Sequence, residues 1–387
     1  MADARWRRRA RGAVVGTAAL VALVACTGRG SSSDPSPDAA DGFRLAPHCP
    51  SPSAEAHKPS ADSLNKLVSS LDLAYWQAGD IGASARLSDG RLVWVFGDTV
   101  RRSGVEPPLV ANSMLVSTGR CVSQLLDADH GPVVPDVGPN TVRWPMSIAV
   151  GRSGGHDVLV VLCSRIRRGG QGSFDFTFLG TTAAVLTVEP GGVPQLEKVL
   201  DLTPDSTDPQ QVNWGAAADV HGGWYYVYGT RLTGKEYDFG RELYVARAPV
   251  SDPGDRKRWQ FWDGKAWQPE GKRAVAVLPS QGGVSQTLSV DSIDGGFVAV
   301  SKKDGDVSDY VYEWTAPHPW GPWKPHKELR APAGFDSGEL EYAPLAHPEI
   351  PLASGHLLVS ISRNTTDFSH LMKDPEVGRP LFAELHD

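Results

Sequence analysis

Residues 79–99, GDIGASARLSDGRLVWVFGDT, read as a β-hairpin with an aspartate at each open end. Ser88-Asp89-Gly90 forms a three-residue turn with glycine last, where a type I turn plus bulge needs a left-handed backbone. That turn sets Leu87 opposite Arg91, Ala85 opposite Val93 and Asp80 opposite Asp98. Directly opposed residues of an antiparallel pair lie roughly 5 Å apart at Cβ. Two carboxylates held that close, with no cation beside either in sequence, cost stability and are kept where they do chemistry. A two-residue Asp89-Gly90 turn is the alternative: it shifts the register by one and sends the carboxylates to opposite faces.

The hairpin recurs. Residues 146–165 (MSIAVGRSGGHDVLVVLCSR), 214–231 (WGAAADVHGGWYYVYGTR), 286–303 (QTLSVDSIDGGFVAVSKK) and 342–364 (YAPLAHPEIPLASGHLLVSISRN) repeat its layout of short strand, turn, apolar strand and polar end. Their second strands are alternating or wholly apolar, as in strands covered on both faces. Five such units imply an all-β, five-bladed β-propeller, each hairpin being the inner half of a blade. TTAAVLTVEP, RELYVARAPV, DYVYEWTAP and WQFWDGKAWQ supply outer strands. A β-sandwich of similar strand count lacks so long a period.

In a propeller, the start of each first strand and the end of each second strand surround one end of the central channel. Asp80 and Asp98, Ser147 and Arg165, Asn213 and Arg231, Gln286 with Lys302 or Lys303, and Arg363 with Asn364 are expected there. One blade then brings carboxylates and the others bring cations and amides, a polar funnel suited to a hydroxyl-rich substrate. Each of these polar residues taken singly is equally well explained as a solvated strand end.

Outside the repeats, residues 1–26 read as a lipoprotein signal: a basic run, an apolar segment too short to span a bilayer, and Leu23-Val24-Ala25-Cys26 as a lipobox with Cys26 as the lipidated residue. Residues 27–62, rich in Ser, Pro, Asp and Ala, read as a disordered tether. Residues 63–387 form the propeller domain. The protein is therefore expected outside the cytoplasm, lipid-anchored at the outer face of the membrane, and monomeric. Cys49, Cys121 and Cys163 remain; Cys163 lies in the apolar run VLVVLCS, which favours a Cys49–Cys121 disulfide. A formal charge of −7, with no long basic run past the leader, argues against nucleic acid. Eleven His show no transition-metal spacing, so neither a metal nor a cofactor is expected. Trp259, Trp262, Trp267, Trp314, Trp320 and Trp323 fit outer-strand packing better than sugar stacking. Glu339 and Glu341 are reserve carboxylates.

The motifs GDIG…DGRLVWVFGDT, Ala111-Asn112-Ser113-Met114, WGPW and HPEIPLASGHLLVSISRN resemble actinobacterial secreted propellers once catalogued only as domains of unknown function. Some members are described as glycoside hydrolases, notably endo-D-arabinanases that cut mycobacterial arabinan. The resemblance spans residue 75 to the C-terminus and is sharpest in the first hairpin. It implies a two-aspartate mechanism on Asp80 and Asp98, without cofactor, acting on a furanosidic polysaccharide. Analogy with other five-bladed furanosidases makes Asp80 the nucleophile and Asp98 the acid/base, the reverse assignment being the alternative; in the funnel, Arg165, Asn213, Arg231, Gln286, Lys302, Arg363 and Asn364 are the residues expected to hold substrate. A short carboxyl separation favours retention. The contrasting reading is a non-catalytic surface propeller that binds wall glycan or a protein, since fold does not fix function.

Overall fold

The computed structural model of the protein describes residues 42–52, 58–169 and 175–386. Its strands form five antiparallel sheets, one per repeat. The first strands of the hairpins, Ala78–Arg86, Thr141–Ser153, Asn213–His221, Ser289–Ile293 and Glu339–Ala346, touch their neighbours in cyclic order, the last returning to the first. The chain is thus a closed five-bladed β-propeller with these strands lining the channel.

The apolar second strands are explained by the packing. In Leu92–Val100, Val93 and Val95 enter a cluster shared with blade 2, while Trp94 and Phe96 pack on the opposite face. In His156–Arg168, Leu159, Val161 and Cys163 face blade 1, and Val160 and Leu162 face blade 3. Each blade is therefore buried on both faces, and its strands lose the polar alternation of a one-sided sheet. Trp259 and Trp314 are buried, and Trp262 stacks on Trp320 at 4.5 Å, so these rings serve packing.

The first hairpin keeps the three-residue turn: the Leu87 amide donates to the Arg91 carbonyl at 2.8 Å, and Ala85 pairs with Val93. Ala78 and Gly79 also pair with Val100 and Thr99 in that register. Between them the ladder slips. Ile81 pairs with Phe96, so Asp80 is not squarely opposite Asp98 but faces the Gly97-Asp98 bulge, and a second irregularity at Gly82 restores the count. Ile81 (φ 69°) and Gly82 (φ 70°) both occupy the left-handed region, which costs about 1–2 kcal/mol for isoleucine. Similar bulges interrupt the inner strands after Pro145, Trp214 and Tyr342. Bulges re-aim side chains at sheet ends.

The segment expected as tether is not wholly one. Arg44–Ala46 adds a strand beyond Cys121–Leu126, and Cys49 is disulfide-bonded to Cys121, leaving Cys163 free and buried. Helix Ala61–Ser70, capped by Ser60, packs on the C-terminal strand Leu381–Leu385, where Asn65 exchanges two hydrogen bonds with the Phe382 backbone. Arg379 donates to the carbonyls of Val68, Ser69 and Leu71 at the helix end. These contacts join the two ends of the ring. The lipobox and most of the tether lie outside the described residues.

The disulfide closes a sequence separation of 72 residues. Cys49→Ser should lower unfolding stability by about 2–4 kcal/mol through the loosened unfolded-state constraint. Chemical denaturation checks this, and an unchanged midpoint would contradict it.

Candidate active site

Asp80 sits where the Tyr342 hydroxyl donates to its Oδ2 at 2.9 Å. Its Oδ1 is buried with no geometric hydrogen-bond partner and lies over Gly97, where any Cβ would collide with it. Only glycine is accommodated there. Ser362 Oγ accepts the Ile81 amide at 2.9 Å and holds the strained turn beside Asp80. Asn364 Nδ2 reaches the Tyr342 hydroxyl at 3.3 Å. Blade 5 thus supports Asp80.

Blade 2 supports Asp98. Trp144 Nε1 donates to Asp98 Oδ1 at 2.8 Å, and the Arg168 guanidinium forms a close ion pair with the same oxygen. The Asp98 side chain is 31% exposed, so this carboxyl is reachable from solvent. Burial pushes Asp80 up to about 6, opposed by the Tyr342 hydroxyl and by the backbone N–H groups of Asp80 and Asp98. Burial likewise pushes Asp98 up to about 7; Arg168 opposes the rise and the charge of Asp80 adds to it. Two such carboxyls titrate as one unit and hold one proton between them near neutrality. That is the electrostatic arrangement of an acid and a nucleophile or base.

The remaining expected funnel residues arrive at the right end but mostly serve other partners. Arg165 is buried against Asp201, Asp205 and the carbonyls of Thr181 and Thr203 in its own blade. Arg231 pairs with Glu242 at 2.6 Å. Arg363 donates to the Arg379 and Glu376 carbonyls. Gln286 accepts from Arg241 at 3.1 Å. Lys302 is fully buried, donates to the Glu341 carbonyl, and is pulled down to about 8 by burial. Asn213 is buried with its Oδ1 near Ser164. None of these six touches the carboxylate pair; a buried cation or amide needs fixed partners, and the charged groups and Gln286 find them between or within blades, whereas Asn213 Nδ2 is buried without one. Of the expected binding set, Asn364 alone is joined to the pair, through Tyr342. Sequence reading missed Trp144, Arg168, Tyr342 and Ser362. Trp144 and Arg168 flank the second repeat just outside residues 146–165, and Tyr342 opens the fifth, where repeat periodicity alone marks no contact with Asp80.

A cleft of about 730 Å³ opens at the opposite end between blades 4 and 5, with Asp294, Phe297, Pro348 and Leu357 in its walls. Neither Asp80 nor Asp98 lines it.

This geometry sits within a recognised family. Residues 64–387 match the family model described as Domain of unknown function (DUF5005), and the chain belongs to that family. No curated protein matches it. Among solved structures, a Bacteroides ovatus protein described provisionally as a hydrolase aligns with a TM-score of 0.64 and 17% identity, covering 89% of this chain and 94% of its own. A GH43_1 enzyme from Xanthomonas citri is more distantly similar, at TM-score 0.46 and 13% identity over 83% of this chain and 93% of its own. A β-xylosidase/α-arabinofuranosidase from a compost microbial metagenome stands at 0.45 and 14%, over 82% and 94%. The first of these likenesses extends the fold to a second protein across nearly its whole length.

A raised carboxyl pKa makes the folded state dearer above that pKa than below the unfolded value. Asp80→Asn should therefore be more stable than wild type at pH 8, by about 1–3 kcal/mol, with the gain vanishing below pH 4. Urea titrations at the two pH values test this; equal stability at pH 8 would show that Asp80 is not held against its charge.

Proposed function

We propose that the protein is a glycoside hydrolase that cleaves furanosidic linkages of an arabinan-like polysaccharide with Asp80 and Asp98 as its catalytic pair. The observation that carries this is the coupling of two carboxyls, both raised towards neutrality by burial, at one open end of the propeller. Asp98 opens to solvent, where a glycosidic oxygen can reach it, which suits the general acid. Asp80, steadied by Tyr342, suits the nucleophile. The pair comes from the two strands of one hairpin, and a short carboxyl separation there goes with a retaining reaction.

In that reaction Asp80 attacks the anomeric carbon while Asp98 gives its proton to the departing glycosidic oxygen. The Arg168 guanidinium and the Trp144 N–H meet the carboxylate left on Asp98, so their attraction grows as the proton leaves. Asp98 then takes a proton from water, which attacks the anomeric carbon and frees Asp80. The lipobox reading of Cys26 would place a monomeric enzyme on the outer face of the membrane, within reach of wall polysaccharide. The family resemblance supports an endo-D-arabinanase-like activity in an actinobacterial setting.

The direct test is release of reducing ends from soluble D-arabinan. Asp80→Asn and Asp98→Asn should each lose about 10²–10⁴-fold in rate; undiminished release by both variants would refute the assignment. Glycan binding without turnover over a broad panel of furanosides and pyranosides would instead support the non-catalytic reading. The pH profile follows from the pair: activity falls as pH drops through about 6, where the pair takes a second proton, and as it rises through about 7, where it loses the one it shares. Tyr342→Phe removes a donor that favours ionised Asp80, so its acid limb should move up by about one pH unit. An unmoved limb would separate Tyr342 from Asp80 ionisation.

A further inference from the structure

All five aromatic side chains exposed among the described residues lie on the end of the propeller that carries Asp80 and Asp98: Phe176 (37%), Tyr237 (82%), Phe239 (58%), Phe335 (55%) and Phe368 (50%). Their positions follow from topology. Phe176 begins the third strand of blade 2, and Tyr237 and Phe239 sit in the loop between the second and third strands of blade 3. Phe335 precedes the inner strand of blade 5, and Phe368 follows its second strand. Side-chain bonds between blades place these strand ends together: Trp144 and Arg168 with Asp98, Thr230 with the Gln286 carbonyl, Lys302 with the Glu341 carbonyl, and Tyr342 with Asp80. The opposite end is turned by Gly90, Gly154-Gly155, Gly222-Gly223, Gly295 and Gly355, and among the described residues none of the exposed Phe or Tyr side chains lies there. Single exposed apolar residues need no explanation, but five rings confined to one end do.

The rings flank the carboxyl pair on two sides. Phe176 packs edge-on against Trp144 at 5.0 Å, and Trp144 holds Asp98 at 2.8 Å. On the other side, Phe368 lies four residues beyond Asn364, which contacts the Tyr342 hydroxyl bound to Asp80. The Phe335 loop is tied to the Phe368 segment by the Thr366 amide donating to the Gly338 carbonyl at 2.9 Å. Across the mouth, the loop of Tyr237 and Phe239 is pinned by Ser280 Oγ to Asp238 at 2.5 Å.

We infer that these rings are stacking platforms for a polysaccharide chain lying across the mouth, with sugar residues on both sides of the Asp80–Asp98 pair. The inference rests on the hydrolase reading and adds the polymer-binding residues to it. Sugar rings present C–H faces that stack on aromatic carbon and hydroxyl edges that need polar groups. The mouth offers both: rings at its rim, and Asp98 with the half-exposed Arg168 between them. A lipid surface or an apolar protein face would cover the rings but would have to bury that ion pair without repayment.

The platforms predict a split by substrate length. Phe176→Ala and Phe368→Ala should each raise KM for soluble D-arabinan about tenfold, the effect of losing one stacked ring. Both should leave kcat/KM for 4-nitrophenyl arabinofuranoside, which fills only the reacting position, within about twofold. Phe→Trp at either position should keep the wild-type KM, which separates stacking from damage to the fold. Polymer KM unmoved in both alanine variants, or equal losses on polymer and aryl glycoside, would overturn the inference while leaving the hydrolase reading intact. Affinity electrophoresis in arabinan gels, run on Asp98→Asn, gives a readout independent of turnover. Retardation should be lost when Phe176→Ala and Phe368→Ala are added, and retardation that persists counts against the platforms. A protein that neither cleaves arabinan nor is retarded by it would overturn both readings. Sedimentation with anionic phospholipid vesicles that is abolished by the same two substitutions would assign the rings to a membrane and refute the glycan assignment.

Discussion

Every junction of the ring is bridged by a polar side chain reaching from one blade to the next, and the site depends on that belt. Ser147 Oγ donates to the Gly215 carbonyl and Thr181 Oγ1 to that of Trp214 between blades 2 and 3. Thr230 Oγ1 donates to the Gln286 carbonyl between blades 3 and 4. Ser289 Oγ accepts the Ala346 amide, and Lys302 reaches Glu341, between blades 4 and 5. Four of the five inner strands, all but that of blade 4, are bulged, so their ladders leave backbone groups unpaired that a neighbouring blade can satisfy.

At the two junctions beside blade 1 the same belt is built from stronger groups. Tyr342 and Ser362 come from blade 5, and Trp144 and Arg168 from blade 2. Here Tyr342, Trp144 and Arg168 meet carboxylates rather than carbonyls, and Ser362 Oγ accepts the Ile81 amide. Asp80 is pressed over Gly97 and supported by a neutral hydroxyl, while Asp98 meets a cation and stays open to solvent. The two acids are therefore unlike in surroundings although they come from one hairpin. That difference is what allows one of them to keep a proton while the other is charged.

The repeats made the fold legible, because a wholly apolar second strand is the physical signature of a blade covered on both faces. The three-residue turn at Gly90 was legible for the same reason that such turns are common: one residue must adopt a left-handed backbone, and glycine supplies it. The Cys49–Cys121 bond could be read from the buried setting of Cys163. The partners of the carboxyls could not. Simple alternation assigns side chains by counting, and the slip between Gly79 and Ala83 breaks the count at the site itself. The polar residues at strand ends were visible, but sequence does not say whether an arginine such as Arg165 faces a substrate or the acids of its own outer strands.

The central claim is that Asp80 and Asp98 form one proton-sharing unit. Infrared difference spectroscopy of the carboxyl C=O stretch, taken through a pH titration of the wild type and of Asp80→Asn, tests it most directly. A protonated carboxyl should persist at pH 6, disappear as pH rises past about 7, and titrate lower once the Asp80 charge is removed. If every carboxyl in the wild type has lost its proton by pH 5, or if Asp80→Asn leaves the Asp98 titration unmoved, the two aspartates do not act as a pair.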